Sequence, residues 1–171
     1  MRKHFTPSLT HFIVATTAAL LIGCGDGSDD ATGKAALPKL TVAYSQSGSD
    51  GMSPEVHLSG LLPSSISRKP LLDAIKGSFP YPIKVIDEVS QDPNVPTPEW
   101  YALLPAALPG LFAQASSLTI AFDNRALELT CVSETAEQKD AVARDSVLAF
   151  SGAIDYVNHK LRVEKVKPRP S

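Results

Sequence analysis

Five residues occur twice in this chain: Leu40-Thr41-Val42-Ala43-Tyr44 matches Leu118-Thr119-Ile120-Ala121-Phe122, with three identities and two conservative exchanges. An internal repeat constrains the fold more than any composition figure, because what the first copy forms the second should form too. Each copy is followed by a turn and an alternating strand. The first turn is long and polar (Ser45 to Pro54) and leads into Val56-His57-Leu58-Ser59-Gly60. The second is Asp123-Asn124-Arg125 and leads into Leu127-Glu128-Leu129-Thr130-Cys131. Apolar residues alternate with polar ones in both, as in a strand with one buried face.

A helical stretch comes next in each half. In the first, Leu71, Leu72, Ile75 and Phe79 fall at helical spacing, with Ser67 as N-cap and Pro70 in the first turn, where its missing N–H is tolerated. In the second, Thr135 and Gln138 have capping-box spacing, Ala143, Val147 and Phe150 form the apolar stripe, and Gly152 ends the helix. Closing strands are predicted over 83–89 and 154–163. The expected class is therefore α+β, a duplicated strand-strand-helix-strand unit. Repeat 1 occupies residues 40–90 and repeat 2, with its basic tail, residues 116–171. Residues 91–115 join them. They comprise an extended proline-rich linker from Asp92 to Pro98, then an apolar helical segment carrying Trp100, Leu104, Leu108 and Phe112. Pro105 and Pro109 should break or kink that helix. Pattern alone leaves open whether the halves share one sheet or build two.

The N-terminus reads as an address. Arg2, Lys3 and His4 precede an uncharged apolar run centred on residues 12–22, too short to span a bilayer comfortably. It ends in Leu21-Ile22-Gly23-Cys24, which resembles a bacterial lipobox. That resemblance implies a signal peptide over residues 1–23, cleavage before Cys24 and acylation of its thiol, leaving 148 residues attached to a membrane by lipid. Residues 24–39 are polar and without periodicity, as a flexible tether is. Gly25 after the cysteine points to the outer membrane facing the periplasm in enteric-type sorting, with the inner membrane as the alternative.

The order of apolar strand, small-residue turn, helix with a basic residue near its start and closing strand resembles the BON domain (bacterial OsmY and nodulation). It is carried by Val56 to Val89 and by Leu127 to Val163. Trp100 with Leu103-Leu104-Pro105, followed by Leu118-Thr119-Ile120, looks like the paired-BON region of some OmpA-family envelope proteins. Cys131 stands where that pattern expects glycine. The resemblance implies attachment to phospholipid surfaces or to other envelope components.

Side chains suited to catalysis are sparse. A net charge of −2 gives no reason to expect a nucleic-acid partner. Two cysteines cannot build a disulfide scaffold or a four-cysteine zinc site. His57 should point outward and His159 should be partly covered, neither with metal-ligand spacing beside it. No metal or cofactor is therefore expected. Cys131 should face the core as an inert thiol. Asp50, Glu55, Asp87 and Glu88 read as solvated loop or strand-end charges, and a small envelope hydrolase using them is the least favoured function. The stretch 45–53 lacks the glycine spacing of a phosphate loop. Two features remain as contacts for a membrane or partner. One is the basic strand and tail of Lys160, Arg162, Lys165 and Lys167, suited to anionic lipid headgroups. The other is Trp100 in its apolar segment. The expectation is a non-catalytic envelope lipoprotein, with a protein-binding adaptor as the alternative.

Overall fold

In the computed structural model, residues 36–47 and 53–164 are described, and all fall within one compact unit spanning Lys34–Ser171. Chain order is β1 (Lys39–Ser45), β2 (Glu55–Pro63), α1 (Lys69–Gly77), β3 (Lys84–Asp92), α2 (Trp100–Ala113), β4 (Ser117–Asp123), β5 (Ala126–Ser133), α3 (Ala136–Phe150) and β6 (Tyr156–Val163). The six strands make one mixed sheet in the order β3-β2-β1-β4-β5-β6. That settles the choice between one sheet and two.

The repeated pentapeptides are each other's partners. β1 and β4 pair antiparallel at the centre, with Leu40 opposite Phe122, Val42 opposite Ile120 and Tyr44 opposite Leu118. Antiparallel pairing of two like strands places the same alternation on the same face, so every inward apolar residue meets another. Outward from this pair, β2 and β5 add antiparallel, then β3 and β6 add parallel to β2 and β5. A parallel neighbour needs a crossover, and α1 and α3 supply the two crossovers.

One core holds both halves. Inward residues of β1, β2, β4 and β5 join Leu71 and Ile75 of α1, six residues of α2 and Val142 and Phe150 of α3 in a single apolar cluster. All three helices thus cover one face, and α2 lies between α1 and α3. Each large apolar side chain buried there contributes roughly 1.5–3 kcal/mol.

Four expectations are revised. α2 runs unbroken over 14 residues through Pro105 and Pro109. The prolines lie four apart, half-exposed and exposed, away from the buried stripe of Trp100, Leu104, Leu108 and Leu111. Each proline withholds a donor from the carbonyl four residues before it, of Tyr101 and of Pro105, and packing of the apolar stripe offsets the lost bonds. The inner stripe of α3 is Val142, Ser146 and Phe150, while Val147 is 44% exposed. Arg68, not Ser67, occupies the N-cap position of α1, although Ser67 Oγ still accepts from the Lys69 N–H. Glu55 opens β2 as a buried residue rather than a solvated loop charge. The capping box of Thr135 and Gln138 is present, and Gly152 follows α3 at φ 82°.

Candidate functional site

Among the described residues, the second face of the sheet carries no helix. At the middle of its central strands the outward residues are small, Thr41, Ala43 and Ser45 on β1, Ser59 on β2, and Thr119 and Ala121 on β4, while Lys39 and Asp123 form an ion pair at one end at 3.2 Å. Registers place Ser59, Thr41 and Ala121 in one cross-strand row and His57, Ala43, Thr119 and Thr130 in the next. Short side chains on a pleated sheet leave a broad platform on which a partner could approach the backbone closely. Two shallow depressions mark it. One of about 410 Å³ is lined by Ala43, Ser45, Glu55, His57, Ser117 and Thr119. The other, about 370 Å³, is lined by Ala121, Ala126, Glu128, Tyr156 and Asn158.

Ionic groups flank the platform. On the β2–β3 side the Glu55 carboxylate, 7% exposed, accepts from His57 Nε2 at 2.8 Å and from Lys84 Nζ at 2.7 Å. Burial of a carboxylate is tolerated because two donors satisfy it, and removing either leaves an under-compensated charge. His57 faces outward as expected, yet it is tied to Glu55. The readable signal was the Glu-x-His spacing, which puts both side chains on one face of a strand. On the β5–β6 side, Lys160 and Arg162 project from the outer face, and Lys160 donates to Glu128 Oε1 at 2.8 Å. Among the described residues Arg162 makes no ion pair.

The other expected contacts do not gather there. Trp100 is fully buried, stacked on Phe122 with centroids 4.2 Å apart, and its indole Nε1–H donates to Asn124 O at 2.6 Å. It belongs to the core, which removes it from any contact surface. Asp87 and Glu88 are consecutive on β3 and so face opposite sides of the sheet. Asp87 is held by Arg68 Nη1 at 2.7 Å, and the three described carboxylates do not converge on a cleft. Cys131 is buried against Ser133 Oγ at 3.2 Å, and burial pushes its thiol pKa up. His159 is partly covered, 3.2 Å from Ser146 Oγ. That hydroxyl already donates to Ala143 O, so the imidazole Nε2–H is the donor between them. Cys24, Asp50, Lys165 and Lys167 lie outside the described residues.

A third group was not anticipated. Arg125, in the turn between β4 and β5, donates to both carboxylate oxygens of Asp155 at 2.9 Å, to Gly152 O at 3.2 Å and to Glu99 Oε2 at 3.4 Å. It joins the start of α2 to the loop after α3. Its bonds hold the Asp155 carboxyl below the usual carboxylate range. Arginine in a turn is common, and nothing local in the sequence marked this one.

Among the described residues no helix is long and apolar enough to cross a membrane. No protein-family model matches the chain, and no curated protein matches it.

Proposed function

We propose that this chain is a non-catalytic, lipid-anchored module of the bacterial cell envelope, built from two BON-like strand-strand-helix-strand repeats and presenting one sheet face to a flat partner. On this reading Cys24 carries the lipid, the protein faces the periplasm from the outer membrane, and the platform meets phospholipid headgroups or another envelope component. The observation that supports it most is that, among the described residues, the helices lie on one face of a six-stranded sheet and the centre of the opposite face carries small side chains. A broad shallow surface suits an extended partner better than a small substrate, which is held in a concave, enclosed site. The lipobox-like Leu21-Ile22-Gly23-Cys24 supports the anchor.

A basic patch near an anionic surface would be a second contact that reinforces a lipid anchor and holds one face of the domain against the membrane. Lys160 and Arg162 with the tail residues Lys165 and Lys167 are proposed for it, at about 1 kcal/mol for each basic residue near an anionic surface. The pairing of Lys160 with Glu128 makes Arg162 the stronger contributor of the two. Cells expressing the chain and fed radiolabelled palmitate should label it, and Cys24→Ser should abolish the label. The unacylated Cys24→Ser protein should then co-sediment with anionic vesicles at low salt, less at high salt. Changing Lys160, Arg162, Lys165 and Lys167 to alanine should remove binding. Failure to bind anionic vesicles under any salt condition overturns the second contact and leaves the lipid as the sole membrane link.

A second reading, an adaptor that binds protein, has its own support. Val147, Leu148, Tyr156 and Val163 are four of the seven exposed large apolar side chains among the described residues, and all four lie on α3 or β6.

A further inference from the structure

Among the described residues the sheet ends in two bare edges, and they are chemically unlike. β3 closes one edge and β6 the other, each with one side of its backbone carrying no strand. They are equivalent by position, since each lies parallel to its neighbour after a crossover helix. Their charges are opposite. β3 carries Asp87, Glu88 and Asp92 against one lysine, whereas β6 carries Lys160 and Arg162 and no acid. Much of this charge is already engaged: Lys84 with Glu55, Asp87 with Arg68 and Lys160 with Glu128. Glu88 and Arg162, one on each edge, have no ion-pair partner among the described residues. Both project from the platform face.

We propose that the β6 edge of one molecule takes the β3 edge of a second copy as an added antiparallel strand, joining chains head to tail. Strand direction permits it without rearrangement. β2, β3 and β4 run one way and β1, β5 and β6 the other, so a second copy in the same orientation offers β3 antiparallel to β6. The strands are of similar length, nine and eight residues. Charge selects this pairing over the two-fold alternatives. β6 against β6 sets Lys160 and Arg162 against themselves, and β3 against β3 does the same for Glu88, whereas β3 against β6 sets acid opposite base. Apolar surface lies at the same flank. α3 is the outermost helix there, and its exposed Val147 and Leu148 stand beside a strand whose Tyr156 and Val163 are also exposed. Charged edge residues ordinarily keep sheets from pairing at random, and complementary charges on two edges convert that protection into selectivity. A heterologous contact of this kind leaves one edge free at each end of a pair, so its product is a series of oligomers rather than a fixed dimer.

The inference is independent of lipid binding and deepens the protein-binding reading. Its test is sedimentation velocity of the full chain in non-ionic detergent over a range of concentrations. Average mass is expected to rise with concentration without settling at two. Glu88→Lys and Arg162→Glu should each weaken association about 10-fold or more, since each sets like charges across the joint. An equimolar mixture of the two variants should restore it, because each then offers the other an opposite charge at both edges. Unchanged melting temperatures would confirm that neither exposed substitution disturbs the fold. A monomer at all concentrations, a species that stops at the dimer, or association indifferent to these charges overturns the proposal. The last outcome would assign association to a surface other than these two edges.

Discussion

At the scale of single residues, two positions carry consequences that burial alone does not convey. Gly60 has φ 138°, and a Cβ built there would lie 2.3 Å from the Lys39 carbonyl oxygen on the neighbouring strand. Gly60→Ala therefore combines an unfavourable backbone region with a backbone clash, at about 2–5 kcal/mol. The urea midpoint should fall accordingly, and a variant as stable as the parent would show that β1 and β2 separate there at little cost. Asp155 is the second. Its bonds from Arg125 lower its folded-state pKa, so the stability it contributes is present above the unfolded carboxylate range and is lost as pH falls through the folded value. Asp155→Asn should lower the melting temperature at neutral pH and leave the acid end little changed, flattening the acid limb of the profile. An unchanged acid limb would mean that the pair holds no net charge coupling. Alternation in the sequence was enough to place Cys131 inward and Lys160 outward, because a strand leaves a side chain only two choices. Arg125 was illegible for the opposite reason. Its partners Glu99, Gly152 and Asp155 come from elements that only the tertiary fold brings together.

Elements were legible where period and cap agreed. The α3 start was written in Thr135 and Gln138, whose reciprocal bonds are local and need no tertiary help. The stripe of α3 was not, because Ser146 faces inward and Val147 outward, against their polarity. Ser146 is accommodated by bonds to Ala143 and His159, a device that hydrophobic pattern does not register. α2 shows packing overriding propensity. A helix so apolar, holding two prolines, exists because Trp100 and Tyr101 tie its first turn to Asn124 O and Ser67 O, one in each half, while its leucines fill the core. Pro109 is exposed, so replacing it removes a helix-interior penalty without opening a cavity. Pro109→Ala should stabilise the protein by about 1–2 kcal/mol, the helical gain less the added freedom of the unfolded chain. Destabilisation on thermal melting would instead assign the proline a packing role.

For the whole molecule, the likeness of residues 40–44 and 118–122 was readable, but the geometry that joins them was not. Two like strands can sit in separate sheets or side by side, and only the mutual register of Val42 and Ile120 decides between them. Because that register runs through one shared core, the halves should not unfold separately. Trp100 reports from the first turn of α2, where it stacks on Phe122 in the core, so its fluorescence and the far-UV circular dichroism should trace one coincident thermal transition. Two separated transitions would contradict a common core.

The described chain enters the sheet through its middle, not its margin. β1 is the first strand, and it is clasped by β2 on one side and β4 on the other, seven residues deep in each ladder. A pull on the N-terminal side is therefore delivered along a strand that must shear past two neighbours at once before it yields. Mechanically the domain is gripped at its strongest member, and both margins of the sheet are left unloaded.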